Sequence, residues 1–118
     1  MADKVLYCQD ELATGIIKRN GVWETSRFQL ERYTIKFNDD YTELDGFDNV
    51  TAPNETFNCN TPYLKKNMIK CTSSSFQDVT FIFDKITKRY TFSFITPFSY
   101  IENGSDTSSL SAGTCKAF

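Results

Sequence analysis

The sequence predicts an all-β domain, an antiparallel meander of about eight short strands that closes as a small barrel, lipocalin-like in outline, or folds as a sandwich. Three observations predict it. Apolar and polar residues alternate with a period of two, as where Tyr33, Ile35 and Phe37 are set against Arg32, Thr34 and Lys36. Turn-forming residues punctuate short β-prone runs, with Asn20-Gly21 the strongest of these signals. Eleven Phe, six Tyr and one Trp supply a core for 118 residues, the length of one domain spanning 1–118.

Taken in order, Val5 to Cys8 reads as a first strand. Gly15 to Arg19 and Val22 to Thr25 then flank Asn20-Gly21 as a hairpin with a tight turn, because this dipeptide tolerates the positive φ that a two-residue loop demands. Thr25 to Glu31 fits either a loop or one helical turn capped by Thr25 or Ser26. Arg32 to Phe37 is a half-buried antiparallel strand, turned by Asn38-Asp39-Asp40 into Tyr41 to Leu44. Asp45 to Pro53, rich in Gly, Asp, Asn and Pro, is a loop before strands at Glu55 to Asn60 and Met68 to Thr72. A second hairpin joins Val79–Asp84 to Arg89–Ile95 through residues 84–88. A last strand, Ser109 to Lys116, follows the polar loop Glu102 to Ser108.

Cys8, Cys59, Cys71 and Cys115 include no CxxC pair, which argues against a structural zinc site, so no cofactor or metal is expected. Pairing Cys8 with Cys115 and Cys59 with Cys71 is geometrically natural, one of three connectivities. By chain entropy the short bridge contributes about 3 kcal/mol and the terminal one about 4 to 5. Disulfides imply a periplasmic or secreted protein; four reduced, buried thiols would instead imply the cytosol. The start Met1-Ala2-Asp3-Lys4 lacks the apolar run of a signal peptide, so an exported protein with this sequence would be a mature form behind an added Met. No apolar run is long enough for a transmembrane helix. A net charge of -2 argues against nucleic acid as a partner, and a monomer is expected.

Tyr7-Cys8, Thr14-Gly15-Ile16, Arg32-Tyr33-Thr34-Ile35-Lys36-Phe37 and the ending Gly113-Thr114-Cys115-Lys116-Ala117-Phe118 together resemble a group of small, predicted-secreted, cysteine-containing proteins of marine bacteria. The resemblance spans most of the chain and implies export; it carries no activity with it. Gly21-Val22-Trp23 also matches the short Gly-x-Trp signature of an early lipocalin strand, although no Arg in the last strand is placed to cover the Trp.

Chemistry is constrained by the complete lack of His. Without it a Ser or Cys nucleophile needs an unusual base, and no Gly-x-Ser-x-Gly motif is present, so no enzyme is expected. Asp39, Asp40, Glu43, Asp45 and Asp48 crowd one segment, but acidic turns between strands are common for backbone reasons, and the spacing does not follow the EF-hand order. Single, scattered Gly residues exclude the usual phosphate-binding loops. Lys65, Lys66 and Lys70, with Lys85, Lys88 and Arg89, and with Tyr63 and Tyr90 nearby, offer a surface for an acidic partner or for single-stranded nucleic acid, or serve as solvated turn residues and edge protection. Three Asn-x-Ser/Thr triplets begin at Asn49, Asn54 and Asn103 and mark loops.

The expected function is therefore that of a disulfide-stabilised, non-enzymatic binding or interaction module. The alternative is a lipocalin-like carrier holding a small apolar ligand among Tyr33, Ile35, Phe37, Phe81, Phe83, Phe92 and Phe94. Strands this short and a Phe supply this large favour a filled core. The partner is then a protein meeting a loop rim at Asp45 to Pro53 or Pro97 to Ser108, with Phe98, Tyr100, Phe47 and Asp48 as candidate contacts.

Overall fold

The computed structural model describes residues 4–46, 56–73, 79–96, 99–104 and 106–117, and among them it contains nine strands and no helix. They are β1 Lys4–Arg19, β2 Val22–Arg27, β3 Arg32–Phe37, β4 Glu43–Gly46, β5 Thr56–Asn60, β6 Met68–Ser73, β7 Val79–Asp84, β8 Arg89–Phe94 and β9 Ser108–Ala117. One antiparallel sheet runs β2-β1-β3-β4-β5-β6-β7-β8-β9 and closes through a further β1–β9 pairing. Eight strands thus form a barrel, and β2 is an extra strand hung on β1. Closure satisfies the backbone groups that an open sheet would leave at its two edges.

Sequence alternation becomes inside and outside. Tyr33, Ile35 and Phe37 face in, as do Phe57, Ile69, Phe81, Phe83, Tyr90 and Phe92, all buried. Their rings pack on one another, with Phe37 to Phe83 at 5.6 Å and Phe81 to Tyr90 at 5.3 Å between centroids. The barrel is filled by these side chains. Both disulfides also lie in this core. Cys8 faces Cys115 across β1–β9, Cys59 faces Cys71 across β5–β6, and each pair has Cα atoms 4.0 Å apart. The first bridge staples the strand pair that closes the barrel.

β1 departs most from the sequence reading, which placed separate strands at Val5–Cys8 and Gly15–Arg19; it is continuous for 16 residues. The polar run Gln9-Asp10-Glu11 stays extended because β9 pairs along the strand from Leu6 to Ile16, and cross-strand pairing overrides local composition. A β-bulge lies there: Asp10 pairs with Gly113, Leu12 with Ala112, and Glu11 is the extra residue. On its other edge β1 serves β3 from Lys4 to Gln9 and β2 from Thr14 to Arg19. Of the two readings for 25–31, the helical turn does not form and the loop is found over 28–31. Thr25 to Arg27 are strand, and the link to β3 is tied to β1 by the Phe28 amide to the Ala13 carbonyl and the Asp10 amide to the Glu31 carbonyl.

Smaller differences lie at strand ends. The turn after β3 takes in Tyr41 and Thr42, which the sequence reading gave to the next strand, because the Asn38 side chain accepts from the amides of Thr42 and Glu43 and holds the turn open one step longer. Asp45 and Gly46 belong to β4 rather than to the loop, since they pair with Lys36 and Ile35. The barrel therefore has two unlike ends. One carries the turns 38–42 and 84–88, where Tyr41 packs on Phe37 at 5.0 Å beneath the ammonium groups of Lys4 and Lys85. The other carries Gly46, Thr56, Ser73, Val79 and Phe94, and from it the β1–β2 ribbon projects.

Candidate interaction site

The ribbon's position follows from its turn. Asn20 and Gly21 both take positive φ, 52° and 79°, the type I′ geometry that matches strand twist, and Arg19 pairs with Val22. Arg19 and Glu24 form an ion pair at 3.3 Å on the exposed face. The register sets Lys18 opposite Trp23 on the outer side of the ribbon. From there Lys18 donates to the Asn103 carbonyl (3.2 Å), Asn103 Oδ1 (3.1 Å) and the Gly104 carbonyl (3.1 Å), and its ammonium stands 6.0 Å from the Trp23 ring.

The segment that Lys18 grips is braced internally. Buried Ser99 accepts from the Asp106 amide (2.8 Å) and donates to its carbonyl (3.0 Å), while the Gly104 amide donates to the Ser99 carbonyl at 2.6 Å. Asn103 takes φ 55°, a conformation Asn tolerates better than most residues. This bracing presents Tyr100 edge-on to Trp23, with ring centroids 5.3 Å apart, while Tyr100 stays 60% exposed. Ile101 beside it is exposed as well. The Trp23 indole N–H is buried without an acceptor among the described residues. Farther along the same outer face, Leu110 opposite Thr14 and Leu12 opposite Ala112 continue an exposed apolar stripe.

Inside the same barrel end sits a polar cluster that the sequence reading missed. Asp10, only 2% exposed, accepts from Tyr90 Oη (2.6 Å), from the Glu31 amide (3.1 Å) and from Tyr33 Oη (3.4 Å). Burial, and then the neighbouring carboxylate, push both phenols above their ordinary range. Three donors meet the carboxylate's needs, so the cluster reads as a buried anchor that joins β1, β8 and the link into β3. The signal was present: Leu6, Cys8 and Asp10 share the parity that faces inward. Above the cluster a cleft of about 360 Å³ opens between Phe28, Gln29, Phe92 and Thr107. Larger recesses, of about 760 Å³ by Leu12, Ile82 and Thr91 and about 680 Å³ by Tyr7, Arg32 and Lys116, lie on the outer wall.

Of the candidate contacts, Tyr100 joins the site, while Phe98, Phe47 and Asp48 lie outside the described residues. Tyr90 is removed from the basic surface, since its side chain points inward to Asp10; period two makes Tyr90 and Phe92 a single inward face. Lys85 and Lys88 are spent on the Tyr41 and Phe83 rings, and Lys88 also donates to the Lys85 carbonyl (2.7 Å). The acidic segment is engaged locally: Asp40 accepts from Thr42 Oγ1, which holds its carboxyl below the usual range, and Asp45 accepts from Thr56 Oγ1. Trp23 of the Gly-x-Trp triplet lies half-buried on the outer ribbon, outside the barrel core, because the bulge and turn carry it beyond the wall. Asn103 of the third triplet is the described member and holds Lys18; Asn49 and Asn54 lie outside the described residues.

The fold and site together define a disulfide-stabilised, closed antiparallel β-barrel with a projecting ribbon. No protein family, no curated protein and no solved structure matches the chain. No helix among the described residues is long and apolar enough to cross a membrane.

Proposed function

We propose that this protein is an exported, non-enzymatic interaction module whose barrel is a scaffold and whose working surface is the ribbon end around Trp23 and Tyr100. The observation that carries this reading is the contrast between a filled interior and Tyr100, held in place yet 60% exposed. A braced loop that spends the hydrogen bonds of Ser99, Asn103 and Lys18 to hold an aromatic ring in water has the form of an interface anchor. The inward aromatics pack on one another instead of lining a chamber, which favours a surface role over carriage of an apolar ligand within the barrel. Two disulfides fit an oxidising compartment outside the cytosol.

The test places a photo-cross-linking residue at Tyr100 and, as a control, at Ile86, an exposed position in the turn at the opposite end. With the exported fraction of the source cells, a discrete adduct is expected from position 100 and none from position 86. Equal labelling at both positions, or none at either, would sink the reading.

A further inference from the structure

Each barrel strand has hydrogen-bonded neighbours on both sides, whereas β2 pairs only with β1. The turn decides which of its backbone groups are left over. In a two-residue hairpin the flanking residues form a hydrogen-bonded pair, and such pairs then alternate along the ribbon. With Arg19 opposite Val22, Ile17 opposite Glu24 and Gly15 opposite Ser26, the amides and carbonyls of 22, 24 and 26 turn toward β1. The bond from Thr14 Oγ1 to the Ser26 carbonyl, 2.9 Å, agrees with this direction. Those of Trp23, Thr25 and Arg27 face outward, and among the described residues no strand meets them, although the Arg27 carbonyl accepts from Ser26 Oγ at 3.2 Å. The strand has six residues and an unbroken register, with no Pro and no bulge, and of its two charged residues Glu24 is paired with Arg19, so the edge is only lightly protected.

We propose that this edge pairs with the same edge of a second copy of the chain, antiparallel about a two-fold axis at Thr25. A monomer is expected from the sequence; the open edge argues otherwise. Backbone bonding needs an outward residue opposite an outward residue, which limits how the two strands can slide. An axis at Glu24 would set two carboxylates face to face, and like charges directly opposite are destabilising. An axis at Ser26 would carry Trp23 past the end of the partner strand. An axis at Thr25 keeps Trp23 to Arg27 paired, with Val22 falling opposite Phe28 just beyond the partner strand.

That register is also chemically complementary. It faces Thr25 with Thr25 of the second copy, a favourable cross-strand pair. It places Trp23 opposite Arg27 of the second copy, twice by symmetry, and all four side chains share one face, so a guanidinium meets an indole at each end. Arg27 forms no ion pair among the described residues and is available for this contact. Val22, 62% exposed, is brought toward Phe28 of the second copy.

The test is sedimentation of the unreduced protein from micromolar to near-millimolar concentration, joined to amide hydrogen exchange at the same concentrations. A reversible dimer is expected, with the amides of Trp23, Thr25 and Arg27 gaining protection as concentration rises while those of Val22, Glu24 and Ser26 stay protected throughout. Thr25→Pro removes an outward amide, which an edge strand accommodates, so it should give a monomer with the same melting temperature as the dilute wild type. Thr25→Lys sets two ammonium groups at the axis and should weaken association several-fold, most strongly at low salt. A monomer at all concentrations, a dimer indifferent to both substitutions, or concentration-independent exchange at the three outward amides overturns the proposal. So does a monomer that binds another protein's strand on this edge. Because Tyr100 packs on Trp23, an adduct at position 100 with the mass of a second copy counts for this dimer, whereas an adduct with a different protein counts for the proposed function, so the two readings fail separately.

Discussion

Tyr90 and Asp10, 80 positions apart in the chain, meet inside the barrel with the phenol donating to the carboxylate at 2.6 Å. The bond spans β8 and β1 across β9 and passes over Gly113, where the absence of a side chain lets it form. It is the polar counterpart of the Cys8–Cys115 bridge, and the two together fix the closure of the sheet.

Removing the carboxylate should therefore be costly. Asp10→Ala leaves the Tyr90 hydroxyl and the Glu31 amide short of their carboxylate acceptor in a buried site, and a loss of about 2 to 5 kcal/mol is expected in urea unfolding. Asp10→Asn keeps an acceptor oxygen and should lose less. Equal stability of Asp10→Ala and wild type would refute the anchor role.

The raised phenols predict the alkaline limit. Tyr33 and Tyr90 ionise above their ordinary value in the folded protein, so their contribution is fully present below about pH 10, where the unfolded chain also keeps them neutral. As pH rises past that point the unfolded state loses protons first, and stability should fall by up to about 1.4 kcal/mol per pH unit for each tyrosine. Tyr90→Phe should be less stable at neutral pH yet show a shallower alkaline decline. A parallel decline would contradict the assignment.

The two disulfides should differ in worth. Replacing Cys8 and Cys115 by Ala opens a loop of sequence separation 107, against 12 for Cys59 and Cys71, so losses of about 4 to 5 and about 3 kcal/mol are expected. An intact mass of the unreduced protein should lie four hydrogens below the reduced chain, two for each bridge. Equal melting temperatures for the terminal double mutant and wild type would show that the staple does not set stability.

Gly113 is required by a close approach. A Cβ there would strike the Gln9 carbonyl oxygen and stand 2.7 Å from Tyr90 Oη. Gly113→Ala should cost more than about 2 kcal/mol by crowding the β1–β9 seam and displacing the Tyr90 bond. Thermal unfolding checks this, with Gly21→Ala, which meets open space at φ 79°, as the comparison for backbone strain alone.

A filled barrel should leave an apolar, environment-sensitive dye dark in the native state and bright only as unfolding begins. Stoichiometric binding to the native protein would return the carrier reading to the front.

Much of this molecule was legible in its residues because strand pleating is a strict period of two. Tyr33, Ile35 and Phe37, or Phe81 and Phe83, had to share a face, and a closed or sandwiched sheet was the way to bury so many rings. Asn20-Gly21 named its own turn, and the outer cysteines fell on the first and last strands. Of the site, Tyr100 was legible as an aromatic among turn residues; Lys18 was not, since its acceptors at Asn103 and Gly104 lie 85 and 86 positions away. The same holds for Asp10, whose donors come from β8, β3 and the link that leads into β3. Local sequence therefore determined the strands, the turns and the inward faces, because pleat and turn geometry act over a few residues. Tertiary structure alone decided that β1 runs unbroken through a polar bulge, that a carboxylate belongs in the core, and that β2 is left with an open edge, because each of these depends on which strand lies alongside.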